Sequence, residues 1–387
     1  MTEIFQDTVA LLEQLVAFPT VSERSNLEMI AHLATRLEES GARVTLFHDA
    51  TASKANLFAT LGPEVDGGIV LSGHSDVVPV EEQIWSSNPF ELRRDQGRLY
   101  GRGTCDMKGF IAAAVAMAPR FAAAVRRRPL HFAFTYDEET GCFGARDLVA
   151  SLKENGIRPG VAIIGEPTMM RIIEGHKGCY EYSTHFNGLA GHGSCPDRGV
   201  NAVEYAVRYV SRLLELKDEL RLRAPCDSSF NPPWTTINTG GLHGGVAHNV
   251  IASAAQLDWE MRPVQASDAA YVKEALQQYC ESVLLPAMRA ACPEADIHLQ
   301  TIGEVQGLIP TTGNEAKDIL MELTGANGAD LVAFGTEAGL FQEYGLSAVV
   351  CGPGSIEQAH KADEYVEISQ IEQCLGMFER LAVKLAA

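Results

Sequence analysis

The strongest constraint on the fold is a series of short apolar runs that end in glycine or in histidine and acidic residues. Four of these runs lie in the first half of the chain: LFATLG, GIVLSGHSD, LHFAFTYDEE and GVAIIGEP. The Ala-rich segment GFIAAAVAMAPRFAAAV lies between the second and third runs and predicts one helix. Apolar strands that alternate with helices are typical of a mostly parallel sheet flanked by helices on both faces. We therefore predict an α/β fold.

The middle of the chain has a different pattern. KGCYEYSTHFNG alternates like a half-exposed strand, and NAVEYAVRYVSRLLELK has helical periodicity. Two strand patterns, a helix near 267–290 and the strand DIHLQTIGEVQ follow. This β-α-β-β-α-β order is that of a ferredoxin-like sandwich. We expect one α/β domain, made of residues 1–178 and 308–387, interrupted by an inserted ferredoxin-like α+β domain of residues 179–307.

Composition and charge exclude several classes of protein. The chain has 387 residues, 46% of them hydrophobic, which is enough to bury a core without disulfide bonds. Nine cysteines without a CxxC spacing argue against a zinc ribbon and a secreted disulfide framework. The net charge of -19 argues against nucleic-acid and membrane partners. The acidic first helix lacks the basic start of a signal peptide, so we expect a cytoplasmic protein.

Polar side chains collect where the apolar runs end. In open α/β sheets, functional groups gather at the carboxyl ends of the strands. Seven side chains follow an apolar run or lie in a Gly-rich turn, where core packing does not require a polar residue. They are His74, Asp76, Asp106, Glu138, Glu139, Glu166 and His360. Taken singly, each is weak evidence, since an HxD is commonly a solvated turn and an EE pair a helix start. Together, as metal-ligand types at the ends of one sheet, they predict a metal site.

Charge balance favours two metal ions over one. Zinc accepts histidine nitrogen and carboxylate oxygen, and catalytic zinc sites keep one open position. One Zn²⁺ is assigned to His74 and Glu166, and a second to Glu139 and His360, with Asp106 bridging the two. A hydroxide is expected to bridge the two ions as well. The carboxylates of Asp106, Glu139 and Glu166 and this hydroxide would then balance the four positive charges of two Zn²⁺ ions.

Two acidic residues remain after this assignment. Asp76 lies two residues from His74 and is well placed to hold the imidazole in its ligating tautomer. Glu138 has no ligand role. An unligated carboxylate beside a water acidified by metal ions is what general-base catalysis requires, so we assign the base to Glu138.

With these residues in view, the chain resembles the dinuclear-zinc aminoacylase and exopeptidase family. The resemblance runs nearly end to end, through GHSDVVP, GRGTCDMKG, the EE pair, IGEPT, EGHKG, GHGSCPDRGVNAV, GGVAHNVI, MRP, FGTEAG and CGPGSIEQAHKADEY. It implies the same ligands and the same base as the charge argument. It also implies two Zn²⁺ ions, with Co²⁺ or Mn²⁺ as alternatives because affinity order and availability compete. The resemblance further implies a homodimer, in which the inserted domain acts as a lid and as the dimerisation domain.

The resemblance also assigns roles within the inserted domain. His192 in AGHGS reads as a turn histidine by itself, but the family places this residue as a donor to the reaction oxyanion, often from the partner subunit. Asn249 in AHNVI and Arg262 in MRP are similar to family residues that bind the substrate's α-carboxylate, which suits the planar arginine fork. A surface arginine is the alternative for Arg262. For Glu337 in FGTEAG the sequence identifies no partner.

These features predict a hydrolase that cleaves an N-acyl amino acid into a carboxylate and a free amino acid. The acyl group and the amino-acid side chain stay open, so a deacylase of a different N-acyl amino acid and a dipeptidase are alternatives. A non-catalytic metal-binding scaffold is the alternative from a different class. The carboxylate of Glu138 argues against it, because a scaffold has no use for an unligated base.

Overall fold

A computed structural model describes residues 2–387. The chain forms two compact units. One unit comprises Met1–Gly175, Pro310–Leu331 and Thr336–Ala387. The other comprises His176–Ile309 and Val332–Gly335, and we call it the inserted unit.

Helices and strands alternate along the described chain. The helices are α1 (Thr2–Ala17), α2 (Leu27–Glu39), α3 (Lys108–Ala116), α4 (Ala118–Ala124), α5 (Phe143–Glu154), α6 (Ala202–Leu222), α7 (Ala266–Tyr279), α8 (Leu285–Arg289), α9 (Glu315–Thr324), α10 (Ala338–Glu343) and α11 (Ile368–Ala386). The strands are β1 (Arg43–His48), β2 (Ala55–Leu61), β3 (Ile69–His74), β4 (Arg93–Asp95), β5 (Arg98–Tyr100), β6 (Leu130–Thr135), β7 (Val161–Pro167), β8 (Ile173–His176), β9 (Cys179–Asn187), β10 (Gly191–His192), β11 (Thr236–Gly244), β12 (Val250–Ile251), β13 (Ala254–Arg262), β14 (Asp296–Val305), β15 (Asp330–Val332), β16 (Ser347–Gly352) and β17 (Tyr365–Glu367). Within residues 2–387, no helix combines the length and the apolar character that crossing a bilayer requires.

The large sheet has eight strands in the order β1-β2-β6-β3-β7-β16-β8-β15. Its four central strands, β6, β3, β7 and β16, are parallel. The predicted mostly parallel sheet flanked by helices is confirmed at this centre, and antiparallel pairs add to it on both sides. The connection from β1 to β2 is short, and a short connection joins antiparallel strands only.

The core lies around the central strands, since β3, β6 and β7 are buried along their whole length. Such strands are covered on both faces, as the continuous apolar runs predict. Helix α3 packs directly against β7. A Cβ atom on Gly165 would lie 2.0 Å from the Phe110 ring, so only glycine permits this approach. The close packing holds the end of β7, where Glu166 lies.

The prediction of one helix over GFIAAAVAMAPRFAAAV is wrong. Helix α3 ends at Ala116 and α4 begins at Ala118. Pro119 occupies the first turn of α4. Proline has no N–H, and its ring clashes with the carbonyl four residues earlier, so Pro119 interrupts the helix in the turn before it.

The inserted unit contains a four-stranded antiparallel sheet in the order β11-β13-β9-β14. Burial alternates along β13, and one face packs against α6 and α7. With α6 after β9 and α7 after β13, the order of elements is the β-α-β-β-α-β order expected of a ferredoxin-like sandwich. The segment predicted as a helix near 267–290 consists of α7, a π-helical turn at Cys280–Leu284 and α8.

Candidate dinuclear metal centre

The candidate site lies at the carboxyl ends of three neighbouring parallel strands. His74 is the last residue of β3, and Glu166 is near the end of β7. Glu138 and Glu139 lie in the turn that follows β6. Because β6, β3 and β7 are adjacent and parallel, their carboxyl ends meet at one edge of the sheet.

The five predicted ligands lie together. Nε2 of His74 lies 3.0 Å from Oδ1 of Asp106 and 3.7 Å from Oε1 of Glu166. Nε2 of His360 lies 3.4 Å from Oδ2 of Asp106 and 2.9 Å from Oε2 of Glu139. The two oxygens of Asp106 therefore face one histidine each, which is the arrangement that a bridging carboxylate requires.

Glu138 lies within the same cluster. Ligand atoms of His74, Glu138 and Glu166 lie within 4.8 Å of one another. The same holds for His74, Asp106 and Glu139. Distance therefore does not separate Glu138 from the ligands, and its role as base stays a prediction from charge balance.

Asp76 contacts both His74 and the glutamate turn. Nδ1 of His74 lies 2.9 Å from the main-chain oxygen of Asp76 and 3.6 Å from its Oδ1. A carbonyl only accepts, so Nδ1 carries the proton and Nε2 is left to ligate. The Asp76 carboxylate accepts the hydroxyl of Ser22 at 2.7 Å and the N–H groups of Glu138 and Glu139 at 3.1 and 3.3 Å. The main-chain oxygen of Asp76 therefore orients the imidazole of His74, and the carboxylate of Asp76 holds the glutamate turn.

The site concentrates negative charge in a buried place. Burial raises the pKa of Glu138 to about 8 and of Glu139 to about 7, and the charge of Asp106 adds to both increases. Burial also raises the pKa of Glu166 well above its usual range, again with Asp106 contributing. Oε1 of Glu166 is buried and has no hydrogen-bond partner within the described chain. A buried carboxylate in this state stays ionised only where a positive charge offsets the cost of burial.

The two histidines supply the ion pairs available to this cluster. Burial acts to lower the pKa of His74, but Glu166 and Asp106 hold it well above its usual value. Hydrogen bonds to Asp106 and Glu139 raise the pKa of His360 to about 10. Across residues 2–387, no lysine or arginine forms an ion pair with these carboxylates. Imidazole and carboxylate donors suit Zn²⁺, so the residues present fit a pair of metal ions.

The structure identifies the partners of Glu337. Its carboxylate is fully buried and accepts the hydroxyl of Ser72 at 2.5 Å and the hydroxyl of Thr135 at 2.8 Å. Ser72 lies on β3 and Thr135 on β6. Glu337 therefore bridges the two strands that lead to His74 and to the glutamate turn. The sequence could not reveal this role, because Glu337 is far from both strands along the chain.

Two of the predicted residues of the inserted unit lie on one short ribbon. His192 ends β10 and is paired in register with Val250 of β12, directly after Asn249. Nδ1 of His192 accepts the N–H of Ser194 at 3.2 Å and lies 2.7 Å from its hydroxyl. Because Nδ1 accepts, the proton of a neutral His192 resides on Nε2.

Arg262 ends β13 and is bound within the inserted unit. Its Nε and Nη2 donate to Oε2 of Glu260 at 2.9 and 2.7 Å. Cys179, Glu181 and Glu260 also form a group with metal-ligand spacing. Arg262 already supplies a positive charge there, so we assign no metal to this group.

Two charged residues that the sequence reasoning did not single out lie next to the site. Arg102 and Glu364 form a buried ion pair of 2.8 Å, and each side chain is 1% exposed. Arg102 lies in the motif GRGTCDMKG and Glu364 in the motif CGPGSIEQAHKADEY. The sequence signal for Arg102 is a charge within a Gly-rich turn, and the signal for Glu364 is an acidic residue four positions after His360. The sequence alone does not show that the two side chains pair.

Histidine and carboxylate side chains at the strand ends of an α/β sheet suit the centre of a metal-dependent hydrolase. The model of Peptidase family M20/M25/M40 matches residues 70–384. The chain belongs to this family, and it is an enzyme that acts on amide bonds.

Named relatives and solved structures agree with this membership. The chain is 36% identical over 374 residues to an acetylornithine deacetylase of Photorhabdus laumondii, covering 94% of this chain and 93% of the relative. A metallo-carboxypeptidase of the M20 family from Sulfolobus solfataricus has a TM-score of 0.77 at 17% identity, covering 98% and 99% of the two chains. A dinuclear metal binding M20 peptidase from Bacillus subtilis has a TM-score of 0.66 at 17% identity, covering 100% and 99%. These two structures support the fold.

Proposed function

We propose that this protein is a metal-dependent amidohydrolase that cleaves N2-acetyl-L-ornithine to acetate and L-ornithine. The observation that carries the proposal is the position of Asp106 between His74 and His360, with Glu138 and Glu139 beside them. The similarity to an acetylornithine deacetylase over 94% of the chain supports this substrate.

The proposed centre holds two divalent ions. His74 and Glu166 would bind one ion, Glu139 and His360 would bind the second, and Asp106 would bind both. We infer Zn²⁺ in both positions from the imidazole and carboxylate donors, with Co²⁺ or Mn²⁺ as alternatives.

The side chains divide the catalytic work. When bound, the ions would polarise the acyl carbonyl and make the attacking water more acidic. Glu138 takes the proton of that water and delivers it to the leaving amine. Asp76 keeps Glu138 in place, since its carboxylate accepts the Glu138 N–H. The acyl group leaves as acetate and the amine leaves as ornithine.

The residues of the inserted unit serve the substrate in this proposal. The Nε2–H of His192 donates to the oxyanion that forms from the acyl oxygen. Asn249 and Arg262 bind the α-carboxylate. In a homodimer, His192 serves the site of the other subunit. Strands β11 and β14 are the edges of the inserted sheet, and an edge strand can pair with a second copy.

We place the enzyme in the cytoplasm, because all nine cysteines of the chain are free, as in a reducing compartment. Its partners are the small substrate and a second copy of the chain. The net charge of -19 opposes binding to nucleic acid and to anionic membranes.

A substrate panel tests this proposal. Zinc-loaded enzyme is assayed for amine release from N2-acetyl-L-ornithine, N2-acetyl-L-citrulline, an N-succinyl amino acid and a dipeptide. We expect the highest kcat/KM for N2-acetyl-L-ornithine. A higher value for another compound would assign a different substrate, and no hydrolysis of any compound would support the scaffold alternative.

A further inference from the structure

A buried salt bridge joins the two loops that carry Asp106 and His360. Arg102 lies four residues before Asp106, and Glu364 lies four residues after His360. Nη1 of Arg102 donates to Oε2 of Glu364 at 2.8 Å. A buried ion pair contributes little net stability by itself, so its position next to two predicted ligands calls for another reason.

Glu364 holds the backbone of the loop that ends in Asp106. Its carboxylate accepts the N–H groups of Gly103 at 3.0 Å, Cys105 at 2.9 Å and Asp106 at 3.1 Å. Burial raises the pKa of Glu364, but three main-chain donors and Arg102 all point at its oxygens. Four donors with no acceptor select the ionised carboxylate.

Arg102 holds the loop that carries His360. Its guanidinium donates to the main-chain oxygens of Lys361 and Pro79, each at 3.3 Å, and to Oε1 of Gln83 at 2.6 Å. Nε2 of Gln83 in turn donates to the main-chain oxygen of His360 at 3.0 Å. Arg102 and Glu364 therefore connect three loops around the site.

The other ligands have a different support. His74 is paired in register with Thr135 of β6, and Glu166 lies on β7 next to Pro167, which is paired with Gly352 of β16. His360 lies on a loop in the left-handed region, with a φ of 60°, and its side chain is 55% exposed. Loss of the ion pair would release His360 and Asp106, while His74 and Glu166 would stay in place.

We infer that Arg102 and Glu364 are positioning residues that hold Asp106 and His360 in the geometry required by the second metal ion. The inference rests on the proposed metal centre and is independent of the substrate. Partners that orient metal ligands typically change metal affinity by about 10–100-fold when they are mutated.

The test is a stepwise titration of the metal-free full chain with Zn²⁺, monitored by calorimetry. Metal analysis after dialysis then gives the number of ions that remain bound. In Glu364→Gln the amide keeps only one acceptor oxygen. Either the N–H groups of Cys105 and Asp106, or Arg102 and the N–H of Gly103, then lose their acceptor. Because Asp106 binds both ions and His360 only the second, we expect both ions to bind more weakly and the second ion to lose the larger factor, about 10–100-fold. The ion that loses more should be the one that Glu139→Gln also weakens. At saturating Zn²⁺, kcat should recover toward wild type, because a positioning residue does not take part in proton transfer.

Asp268 offers a matched control. Its buried carboxylate lies in the inserted unit and accepts the hydroxyl of Thr235 at 2.5 Å and the amide of Gln265 at 3.0 Å. Asp268→Asn should lower Tm while leaving both zinc affinities unchanged. Arg102→Lys is the second test variant; it keeps the positive charge but has no planar fork, and the ion that it weakens more should be the same as in Glu364→Gln.

Three results would overturn the inference: unchanged zinc affinities in both test variants, equal weakening of both ions, or a wild-type chain that binds fewer than two ions. If Glu364→Gln does not fold, the Arg102→Lys titration decides. A wild-type chain that binds two ions but does not hydrolyse N2-acetyl-L-ornithine refutes the proposed substrate only, so the two failures can be distinguished.

Discussion

Oδ1 of Asp76 accepts the main-chain N–H of Glu138 at 3.1 Å. Its Oδ2 accepts the N–H of Glu139 at 3.3 Å, so one buried carboxylate holds the turn that carries the proposed base and a proposed ligand. The main-chain oxygen of the same residue lies 2.9 Å from Nδ1 of His74. Asp76 therefore links the end of β3 with the turn after β6.

This linkage predicts the effect of Asp76→Asn. The amide keeps one oxygen but faces a main-chain donor with its NH₂ group, so the glutamate turn should loosen. We expect zinc affinity to fall by about 10–100-fold. We also expect kcat to stay below wild type at saturating zinc, because Glu138 is displaced.

Zinc titration and steady-state kinetics measure both effects. The control is Asp268→Asn, which removes a buried carboxylate of the inserted unit that accepts the hydroxyl of Thr235 at 2.5 Å. Wild-type affinity and kcat in Asp76→Asn would contradict the role of this carboxylate.

Glu138 and Glu139 should respond differently to the same substitution. General acid–base catalysis contributes about 10²–10⁴ in rate, so Glu138→Gln should lose about that factor in kcat. It should retain two zinc ions per chain, whereas Glu139→Gln should first lose affinity for one ion. Metal analysis and kinetics on the two variants make the comparison. Near-normal turnover in zinc-loaded Glu138→Gln would rule out Glu138 as the base.

Mixed dimers test whether His192 acts in the other subunit. His192→Ala should lower the rate by about 10²–10³, the usual effect of losing one oxyanion donor, and should still bind zinc. If the sites are shared, a dimer of His192→Ala with Glu138→Gln has one site with both lesions and one with neither. Its activity should return to as much as about half that of wild type per dimer. Verified mixed dimers that stay as inactive as their parents would place His192 in its own subunit or outside catalysis.

The stabilisation of the fold by zinc should increase with pH. In the metal-free fold, burial raises the pKa of Glu138 to about 8 and of Glu139 to about 7, against about 4.3 for an unfolded glutamate. The folded state therefore holds extra protons between these values, and the contribution of these groups to stability is lost as pH rises through the folded pKa. Zinc takes the place of the proton on Glu139, and its positive charge lowers the pKa of the neighbouring Glu138, so the loss is removed.

The measurement is the difference in Tm between zinc-loaded and chelator-treated protein from pH 6 to pH 8. Groups remote from the site titrate alike in both forms and cancel in this difference. We expect the difference to grow across the range. A constant or shrinking difference would show that zinc does not displace protons from these carboxylates.

Much of the fold was predictable because burial leaves a local signature. The apolar runs that form β3, β6 and β7 are buried along their length, as continuous apolar patterns predict. The break between α3 and α4 was missed, although Pro119 is a local signal for it.

The convergence of the candidate ligands was also predictable, because parallel strands bring their carboxyl ends to one edge. The contacts that hold the ligands in place could not be predicted from the sequence. Ser72 and Thr135 contact Glu337, and Glu364 contacts Gly103, over separations that leave no periodic trace in the sequence. These side chains are polar, so hydrophobic patterning does not report on them.

The most direct test of the central claim is the crystal structure of the zinc-loaded protein with anomalous data at the zinc edge. We predict two peaks about 3.5–4 Å apart. Asp106 should contact both ions, His74 and Glu166 one of them, Glu139 and His360 the other, and the Glu138 carboxylate neither. A single peak, or a Glu138 oxygen within bonding distance of an ion, would contradict this assignment.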